Sequence, residues 1–419
     1  MFSSIPADLL RYTMSFSKKT LRTLRVCREV CKNWRDALSP HAIQEISDGI
    51  ETIECLELSQ MKFGTSGYLF GSRTQSICFD EIETDSQQVH ESYDDEYKDE
   101  KTKLWQFEIA KLCPNLRKLS DTHCQISDQS ILKFIEHCPL LSSVSIVYPL
   151  DITGASLFAL ARCQNLKSFE FGSFDMCSDD GLIALFHGCP NLESLKLYYI
   201  AGITNESLCE ISKLRNLQTL LIDYKIDEIL TEIAHGCPKL KSLHCYSSDN
   251  SLLEVIRLCP EITELGTIVT DVSLMAIADT YPNLKELIIY EGSRVSDSAL
   301  HQVFQKCPKL KRLSLNESKT LPCQRATFDL QTCFEDIVKC PQLEILSLAV
   351  CRISKKFTED ISKLRCLKQL GVYNCKNFDE MSLFHIVDKC KSLKKIYTDV
   401  RNRVSHPNTS KISIISYKE

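Results

Sequence analysis

The hydrophobic positions along most of this chain follow a repeating pattern, in which a strand-like spacing is followed by a helix-like spacing. One copy covers residues 113–137, CPNLRKLSDTHCQISDQSILKFIEH. Leu116 and Leu119 have the L-x-x-L spacing of a short buried strand, and Ile131 and Ile135 lie four apart on one face of a helix. Each copy therefore predicts one strand followed by one helix.

The helix boundaries also show in the pattern. Ser127 offers an N-cap and Asp128 a first-turn carboxylate, and the Cys-Pro pair that opens the next copy ends the helix. The stretches ITNESLCEIS, VTDVSLMAIA and VSDSALHQVF repeat this arrangement and predict helices of the same kind.

Twelve copies can be aligned, and most successive copies are 22 to 26 residues apart. This period is typical of leucine-rich repeats, and self-similarity at a fixed period indicates a repeat architecture. The predicted fold class is α/β, a leucine-rich-repeat solenoid with a curved parallel sheet inside and helices outside. The 33-residue step after residue 307 predicts a longer connection. The copies begin at residues 113, 138, 163, 189, 214, 237, 259, 281, 307, 340, 364 and 390.

Cysteine is frequent, with 22 in 419 residues. The N-terminal sequence MFSSIPADLLRYTMSF has no signal-peptide pattern, and no run of about 18 apolar residues occurs. We therefore expect a cytoplasmic and/or nuclear protein with no membrane partner, whose thiols are reduced and buried as small hydrophobic side chains. Nine cysteines open the repeated turn, at positions 113, 138, 163, 189, 237, 259, 307, 340 and 390.

The stretch VCREVCKNWRDAL, residues 26–38, has three interpretations: a metal knuckle, a nucleic-acid-binding helix, or the apolar face of a docking helix. Cys27 and Cys31 could share a helix face, but a structural zinc site needs four ligands and no second Cys or His pair lies nearby. The basic residues form mainly the polar side of the helix, and the whole chain has 50 Lys and Arg against 55 Asp and Glu. The sequence thus predicts a docking helix, no metal and no nucleic-acid partner.

Catalytic chemistry has no candidate in the sequence. A nucleophilic cysteine needs a paired base in an open cleft. His123 beside Cys124 and His244 beside Cys245 are the nearest pairs, but neighbours on a strand point to opposite faces. We therefore expect a protein that is not an enzyme, with no catalytic residue and no cofactor.

The segment IPADLLRYTMSFSKKTLRTLRVCREVCKNWRDAL, residues 5–38, resembles the F-box. The pattern of that family has Leu-Pro, a Leu-rich first helix, a polar break and an apolar helix that ends near Val-Cys and Trp-Arg. The segment departs from this pattern at Tyr12 to Met14 and at Thr20, which lowers the expected affinity for an adaptor. The matching positions are Pro6, Leu9, Leu10, Ser15, Leu21, Leu24, Val26, Cys31, Trp34 and Arg35.

The resemblance implies that this segment docks on a Skp adaptor and, through it, reaches cullin and RING subunits. A domain of roughly 40 residues has little core in which to hide its apolar face, so an exposed face favours a partner. The alternative is that the whole face is internal core. The predicted adaptor-binding residues are Ile5, Pro6, Leu9, Leu10, Leu21, Leu24, Val26, Cys27, Val30, Cys31 and Trp34.

An F-box followed by cysteine-containing leucine-rich repeats is similar to the F-box and leucine-rich-repeat family. The resemblance implies a non-catalytic substrate-recognition subunit of an SCF-type ubiquitin ligase. Two alternatives remain: a repeat scaffold that acts outside ubiquitin transfer, and a leucine-rich-repeat enzyme regulator with a chance likeness to the F-box. The predicted domains are a small all-α F-box at 1–45, a linker with irregular first repeats and an acidic insertion at 46–104, the repeats at 105–400, and a tail or cap at 401–419.

The strand pattern also predicts where a protein substrate binds. If the leucines point into the core, the residues between them face the concave groove. Four tyrosines stand in one such column, together with Thr122, Asp223 and Asn316, although β-propensity alone also favours tyrosine in strands. Aromatic residues with a polar tip and Arg are enriched in protein interfaces. The predicted substrate-binding residues are Tyr198, Tyr246, Tyr290, Arg312 and Tyr373, with His244, Glu264, Glu286 and Ile288 in neighbouring columns.

The tail, residues 397–419, lies beyond the last recognisable repeat. Ile412 and Ile414 alternate as in a strand, and an array needs its last apolar edge covered. We expect a closing strand there; the alternative is a tail folded back into the groove.

Overall fold

The structure is a computed structural model that describes most of the repeat region. The predicted F-box with all of its adaptor-binding residues, the acidic insertion at 83–103, Cys113 and Cys124 lie outside the described residues. The described residues are 56–57, 76–79, 110–111, 114–121, 126–147, 152–172, 178–199, 202–290, 295–315, 328–330, 332–400 and 412–416.

Among these residues, fifteen strands form one parallel sheet, and two short strands form a second. Strands that are neighbours in the large sheet follow one another along the chain, with only the two short strands left out of the order. The strands are β1 Leu56–Glu57, β2 Ser76–Phe79, β3 Lys118–Asp121, β4 Ser143–Val147, β5 Ser168–Gly172, β6 Ser194–Tyr198, β7 Thr219–Lys225, β8 Ser242–Tyr246, β9 Glu264–Thr267, β10 Glu286–Ile289, β11 Arg312–Leu315, β12 Phe328–Leu330, β13 Ile345–Ala349, β14 Cys351–Ile353, β15 Gln369–Tyr373, β16 Lys395–Thr398 and β17 Ser413–Ser416.

A helical segment connects most successive strands, which confirms the predicted alternation of one strand and one helix per copy. The α-helices are Asp128–His137, Gly154–Leu160, Asp179–Gly188, Asn205–Cys209, Asp227–Gly236, Asp249–Leu258, Asp271–Thr280, Asp297–Lys306, Phe357–Ser362 and Glu380–Lys389. Two further segments, Glu210–Lys213 and Cys333–Lys339, are 3-10 helices. The predicted solenoid, with a parallel sheet on one side and helices on the other, is therefore present.

The repeated leucines hold the sheet against the helices. Leu243, Leu265, Leu287 and Leu313 lie opposite one another in register on β8 to β11, and each is fully buried. Burying one such side chain stabilises the fold by about 1.5–3 kcal/mol. Because side chains alternate along a strand, the residues between the leucines lie on the opposite, concave face of the sheet.

The cysteines that open the copies pack between repeats, as predicted. The thiol of Cys237 donates to the carbonyl of Ile211 at 3.3 Å, and that of Cys340 to Cys307 at 3.4 Å. Burial raises the pKa of the Cys237 thiol to about 12, so this thiol stays neutral. Cys163 is only half-buried. The buried members of the set are Cys138, Cys189, Cys237, Cys259, Cys307, Cys340 and Cys390.

One repeat has a tyrosine at the position where nine of the twelve copies have cysteine. Tyr281 is 1% exposed, and its hydroxyl donates to the carbonyl of Cys259 at 3.1 Å. Its phenol thus makes the same link to the preceding repeat that the thiols make elsewhere. The sequence pattern alone gave no sign of this substitution of one donor for another.

The aspartates at the helix starts also link successive repeats. Asp179 accepts hydrogen bonds from the amide and hydroxyl of Thr204, at 3.0 and 2.8 Å, and from the hydroxyl of Ser207. The sequence predicted that such an aspartate supports its own helix; the structure shows that it also binds the N-cap of the next one. Equivalent bonds run from the next copy to Asp128, Asp227, Asp249, Asp271 and Asp297.

The tail contributes a last strand. Residues 413–416 pair in parallel with β16, and Ile412 is 8% exposed. A strand was predicted here from the alternating isoleucines, and in the structure it pairs with the last strand of the repeats. The domain boundaries themselves stay predictions.

Within the residues that the structure describes, no helix is long and apolar enough to cross a membrane.

Candidate functional site

The concave face consists of in-register rows, each with one residue per strand. The row that begins the strands contains Glu264, Glu286 and Arg312. The middle row runs across β8, β9, β10 and β11 and contains His244, Gly266, Ile288 and Ser314 in that order. Tyr246 is the last residue of β8, and Tyr290 directly follows the last residue of β10.

Tyr246 and Tyr290 contact each other, although β9 lies between their strands. Their ring centroids are 5.0 Å apart and their planes are tilted by 35°. Strands separated by one neighbour are about 9.6 Å apart, twice the usual spacing of about 4.8 Å, so both rings must lean over β9. The Tyr290 hydroxyl has room above β9 because Gly266 has no side chain.

His244 completes this aromatic platform, which we define as His244, Tyr246 and Tyr290. The His244 Nδ1 and Tyr290 Oη atoms lie 3.2 Å apart, within hydrogen-bond distance. A Cβ atom on Gly266 would lie 2.7 Å from Tyr290 Oη and would also clash with the His244 ring. A side chain at position 266 would therefore displace His244 and Tyr290 from this arrangement.

A charged row borders the platform. Arg312 Nη1 and Glu286 Oε1 lie 3.8 Å apart, with 32% and 25% of the two side chains exposed. An ion pair of this length at a partly exposed site contributes little stability. Arg312 and Glu286 lie opposite each other at the start of β11 and β10, next to the platform.

The other predicted tyrosines lie farther along the same face. Tyr198 is at the end of β6, with its Cβ 3.2 Å from where a Cβ on Gly172 would be. Tyr373 is at the end of β15 and lies over Gly371. The structure therefore brings two of the four predicted tyrosines together and places the other two on strands two and three positions away.

One detail of the predicted column is wrong. Tyr246 pairs with Lys225 and not with Asp223, because β7 has a bulge between Ile222 and Lys225. The bulge leaves Tyr224 47% exposed. Ile288 lies in the middle row of the concave face, as expected, but it is only 5% exposed. Thr122 and Asn316 of the same column lie outside the described residues.

The missed feature is Gly266. A glycine inside a strand often marks the close approach of another group. At Gly266 the groups that approach are the side chains of His244 and Tyr290. Among the described side chains, no group of three or more His, Cys, Asp or Glu is arranged to hold a metal ion.

Comparison with known proteins supports the same architecture. A crystal structure of the Rad7 and Elc1 complex in yeast superposes with a TM-score of 0.55 and 16% identity, covering 99% of this chain and 98% of that one. The fold is that of a leucine-rich-repeat solenoid. No protein-family model matches the chain.

Three curated relatives resemble parts of the chain. The DNA repair protein rhp7 of Schizosaccharomyces pombe is 31% identical over 120 residues, 28% of this chain and 21% of that protein. The F-box protein SKIP1 of Arabidopsis thaliana is 33% identical over 82 residues, 19% of this chain and 27% of that protein. A transport inhibitor response 1-like protein of Oryza sativa is 28% identical over 108 residues, 25% and 18% of the two chains. The chain thus spans about a quarter or less of the length of these relatives.

Proposed function

We propose that this protein is the substrate-recognition subunit of an SCF-type ubiquitin ligase. In this proposal the N-terminal F-box docks on a Skp adaptor, and the concave face binds a protein substrate. The observation that carries the proposal is the order of the two parts: a segment that resembles an F-box precedes a repeat sheet that presents an aromatic platform. Local similarity to the F-box protein SKIP1 supports it.

The mechanism in this proposal is positional. The chain supplies no catalytic group; it binds the substrate at one end and the adaptor at the other. Holding two reactants on one framework raises their effective concentration, which replaces a bimolecular encounter by an intramolecular one. The hydrogen-bonded stacking of the repeats suits this role, because it fixes the distance along the sheet.

The chemistry of the concave face favours a protein as the substrate. Tyr246 and Tyr290 offer two rings in contact. Arg312 lies on β11, the strand next to β10. Tyr, Trp and Arg dominate the binding energy of protein interfaces, where rigid rings lose little conformational entropy. The charged row beside the aromatic platform resembles the polar rim that surrounds the core of a protein interface.

A second candidate is a scaffold that binds the adaptor but works outside ubiquitin transfer. The similarity to a crystallised two-protein complex, Rad7 with Elc1, favours it over a solitary repeat protein. In both proposals the protein acts in the cytoplasm and/or nucleus, and the two differ in whether cullin and RING subunits are bound.

Co-purification of the full chain tests both. Replacing Pro6, Leu9 and Leu10 by Ala should abolish recovery of the Skp adaptor, while alanines at the polar positions Arg11, Lys18 and Lys19 should not. Recovery of the adaptor by a folded triple variant would contradict the F-box role. Adaptor without cullin would support the scaffold, and adaptor with cullin the ligase subunit.

A further inference from the structure

The segments that lead from each helix into the next strand form one edge of the sheet. In the last five repeats these segments are 282–286, 308–312, 341–345, 365–369 and 391–395, which we call the basic edge. They contain nine basic side chains and two acidic ones, Glu286 and Glu344, within a chain of net charge -5. The basic residues are Lys285, Lys309, Lys311, Arg312, Arg365, Lys368, Lys391, Lys394 and Lys395.

The backbone places the lysines of this edge in a row. The amide of Lys311 donates to the carbonyl of Lys285 at 2.7 Å, that of Glu344 to Lys311 at 2.8 Å, and those of Lys368 and Lys394 to Glu344 and Lys368, both at 2.8 Å. These residues therefore stand at one equivalent position in five neighbouring repeats. All of the basic residues except Arg312 are exposed.

The two acidic residues do not neutralise the row. Lys368 Nζ lies 2.6 Å from Glu344 Oε2, and this hydrogen bond, aided by the charges of Lys368 and Lys311, lowers the pKa of Glu344. Glu344 is thus ionised and held between two lysines. Since nine basic residues face two carboxylates, a net charge of seven positive units remains along the edge.

Helix dipoles do not explain this concentration. Basic residues near a helix C-terminus are stabilising in general, and all of the repeats have helix ends at this edge. The seven preceding segments, 114–118, 139–143, 164–168, 190–194, 215–219, 238–242 and 260–264, contain six basic and three acidic residues. The excess of basic over acidic residues per repeat is therefore about three times larger in the last five repeats, although helical segments end at this edge in both groups.

We infer that the basic edge binds an acidic segment of a protein partner, rich in Asp and Glu. The row spans five strands, roughly 19 Å at about 4.8 Å per strand, which matches about six residues of extended peptide. The edge joins the concave face through Arg312 and Lys395, which begin β11 and β16. A substrate on the platform could thus extend an acidic stretch along the edge, and this assignment rests on the proposed function.

A nucleic acid is the competing occupant of any basic row. Single strands are bound by aromatic rings on which the bases stack, alternating with basic groups. The five segments of the basic edge contain no aromatic residue, whereas the neighbouring platform has the composition of a protein interface. The observations therefore favour an acidic peptide.

Fluorescence anisotropy on the full chain tests the inference with three labelled probes: an octaglutamate peptide, an octaglutamine peptide and a DNA duplex. The wild type should bind octaglutamate, with affinity that falls as salt is added. Replacing Lys311, Lys368 and Lys394 by Glu should weaken binding about tenfold, because three exposed ion pairs at up to about 0.5 kcal/mol each add to about one decade.

The matched control places the same charges on the opposite edge of the same repeats. Lys355, Lys356 and Lys376 are equally exposed, and their replacement by Glu should leave octaglutamate affinity within about twofold. Equal losses in both triple variants, or equal binding of octaglutamine, would overturn the inference. Lysine-dependent binding of the duplex without binding of octaglutamate would overturn the choice of a peptide. The assay contains no adaptor, so its outcome is separate from that of the co-purification.

Discussion

On the helix side of the sheet the same residue serves the same role in repeat after repeat, whereas on the concave face equivalent positions differ from strand to strand. Cysteine thiols donate to the preceding repeat in copy after copy, as at Cys237 and Cys340. The concave middle row instead reads Leu221, His244, Gly266, Ile288 and Ser314 on successive strands. The repeated residues set the stacking, and the variable ones can therefore specialise in recognition.

The difference has an energetic basis. A buried thiol or leucine must fit a space defined by two repeats, so each repeat imposes nearly the same demand. An exposed residue on the concave face meets that demand only through its backbone, so its side chain can vary with little effect on folding. The comparison predicts that substitutions on the helix side mainly lower stability, whereas substitutions on the concave face mainly weaken binding.

The largest effect is expected in the leucine row. Replacing Leu287 by Ala leaves a cavity between sheet and helices and should lower the free energy of unfolding by about 2–5 kcal/mol. Denaturant titration measures this, with the exposed Lys285→Ala as control, expected within about 0.5 kcal/mol. Equal denaturation midpoints for Leu287→Ala and Lys285→Ala would mean that the buried leucine row does not stabilise the solenoid.

The platform should show the opposite behaviour. Tyr246→Ala and Tyr290→Ala should each cost about 1–3 kcal/mol of substrate affinity, the range for interface anchors. Because the rings touch, the double variant should lose less than the sum of the two. Substrate capture by folded variants measures both effects.

A matched control for the platform is Phe158→Ala, which removes a ring 50% exposed away from the concave face. Unchanged capture by the tyrosine double variant, or equal losses in the Phe158 variant, would argue against the concave site.

The aspartate links predict a pH dependence. Desolvation opposes ionisation of Asp179, but hydrogen bonds from Ser207 and Thr204 outweigh it and lower its pKa below the ordinary value of 3.8. The links at Asp227 and Asp297 also lower the pKa. A carboxylate whose pKa is lowered by folding stabilises the protein above its unfolded pKa, and that stability is lost as pH falls through the folded pKa.

Acid unfolding followed by circular dichroism measures this dependence. The free energy of unfolding should decrease below about pH 4, and Asp179→Asn should lower it by about 1 kcal/mol at neutral pH while reducing its slope in acid. Asp388→Asn, at an exposed position in the helix Glu380–Lys389, is the control. Parallel acid curves for wild type and Asp179→Asn would show that the link does not titrate in this range.

The fold could be predicted because its determinants are local and repeated. The spacing of Leu116 and Leu119 recurs in every copy, and each recurrence tests the same prediction again. Helix starts at Ser127 and similar residues were visible for the same reason. What the pattern could not show is the second partner of Asp128, which lies in the next repeat and depends on how the repeats stack.

The candidate site was less predictable because it depends on irregularities. The bulge in β7 shifts the strand register, so that Lys225 and not Asp223 lies opposite Tyr246. Nothing in the local sequence predicts this bulge. The contact between Tyr246 and Tyr290 depends on side-chain directions across a third strand, which periodicity does not specify. The strand pattern predicted that tyrosines face the groove, but the approach of His244 and Tyr290 to Gly266 is visible only in the three-dimensional structure.

The smallest effect, at Tyr281, tests whether one donor can replace another on the helix side. Tyr281→Phe keeps the buried ring but removes the hydroxyl that donates to Cys259, so the free energy of unfolding should fall by about 0.5–1.5 kcal/mol. Tyr281→Cys restores the residue found in other repeats, yet it should destabilise more than Phe, because the space is shaped for a ring and a cavity would remain. Denaturant titration of the three proteins gives the order wild type, Phe, Cys. If the Cys variant were as stable as wild type, the neighbouring repeats would have to close around the smaller side chain, and the role of this position would be set by the hydrogen bond alone.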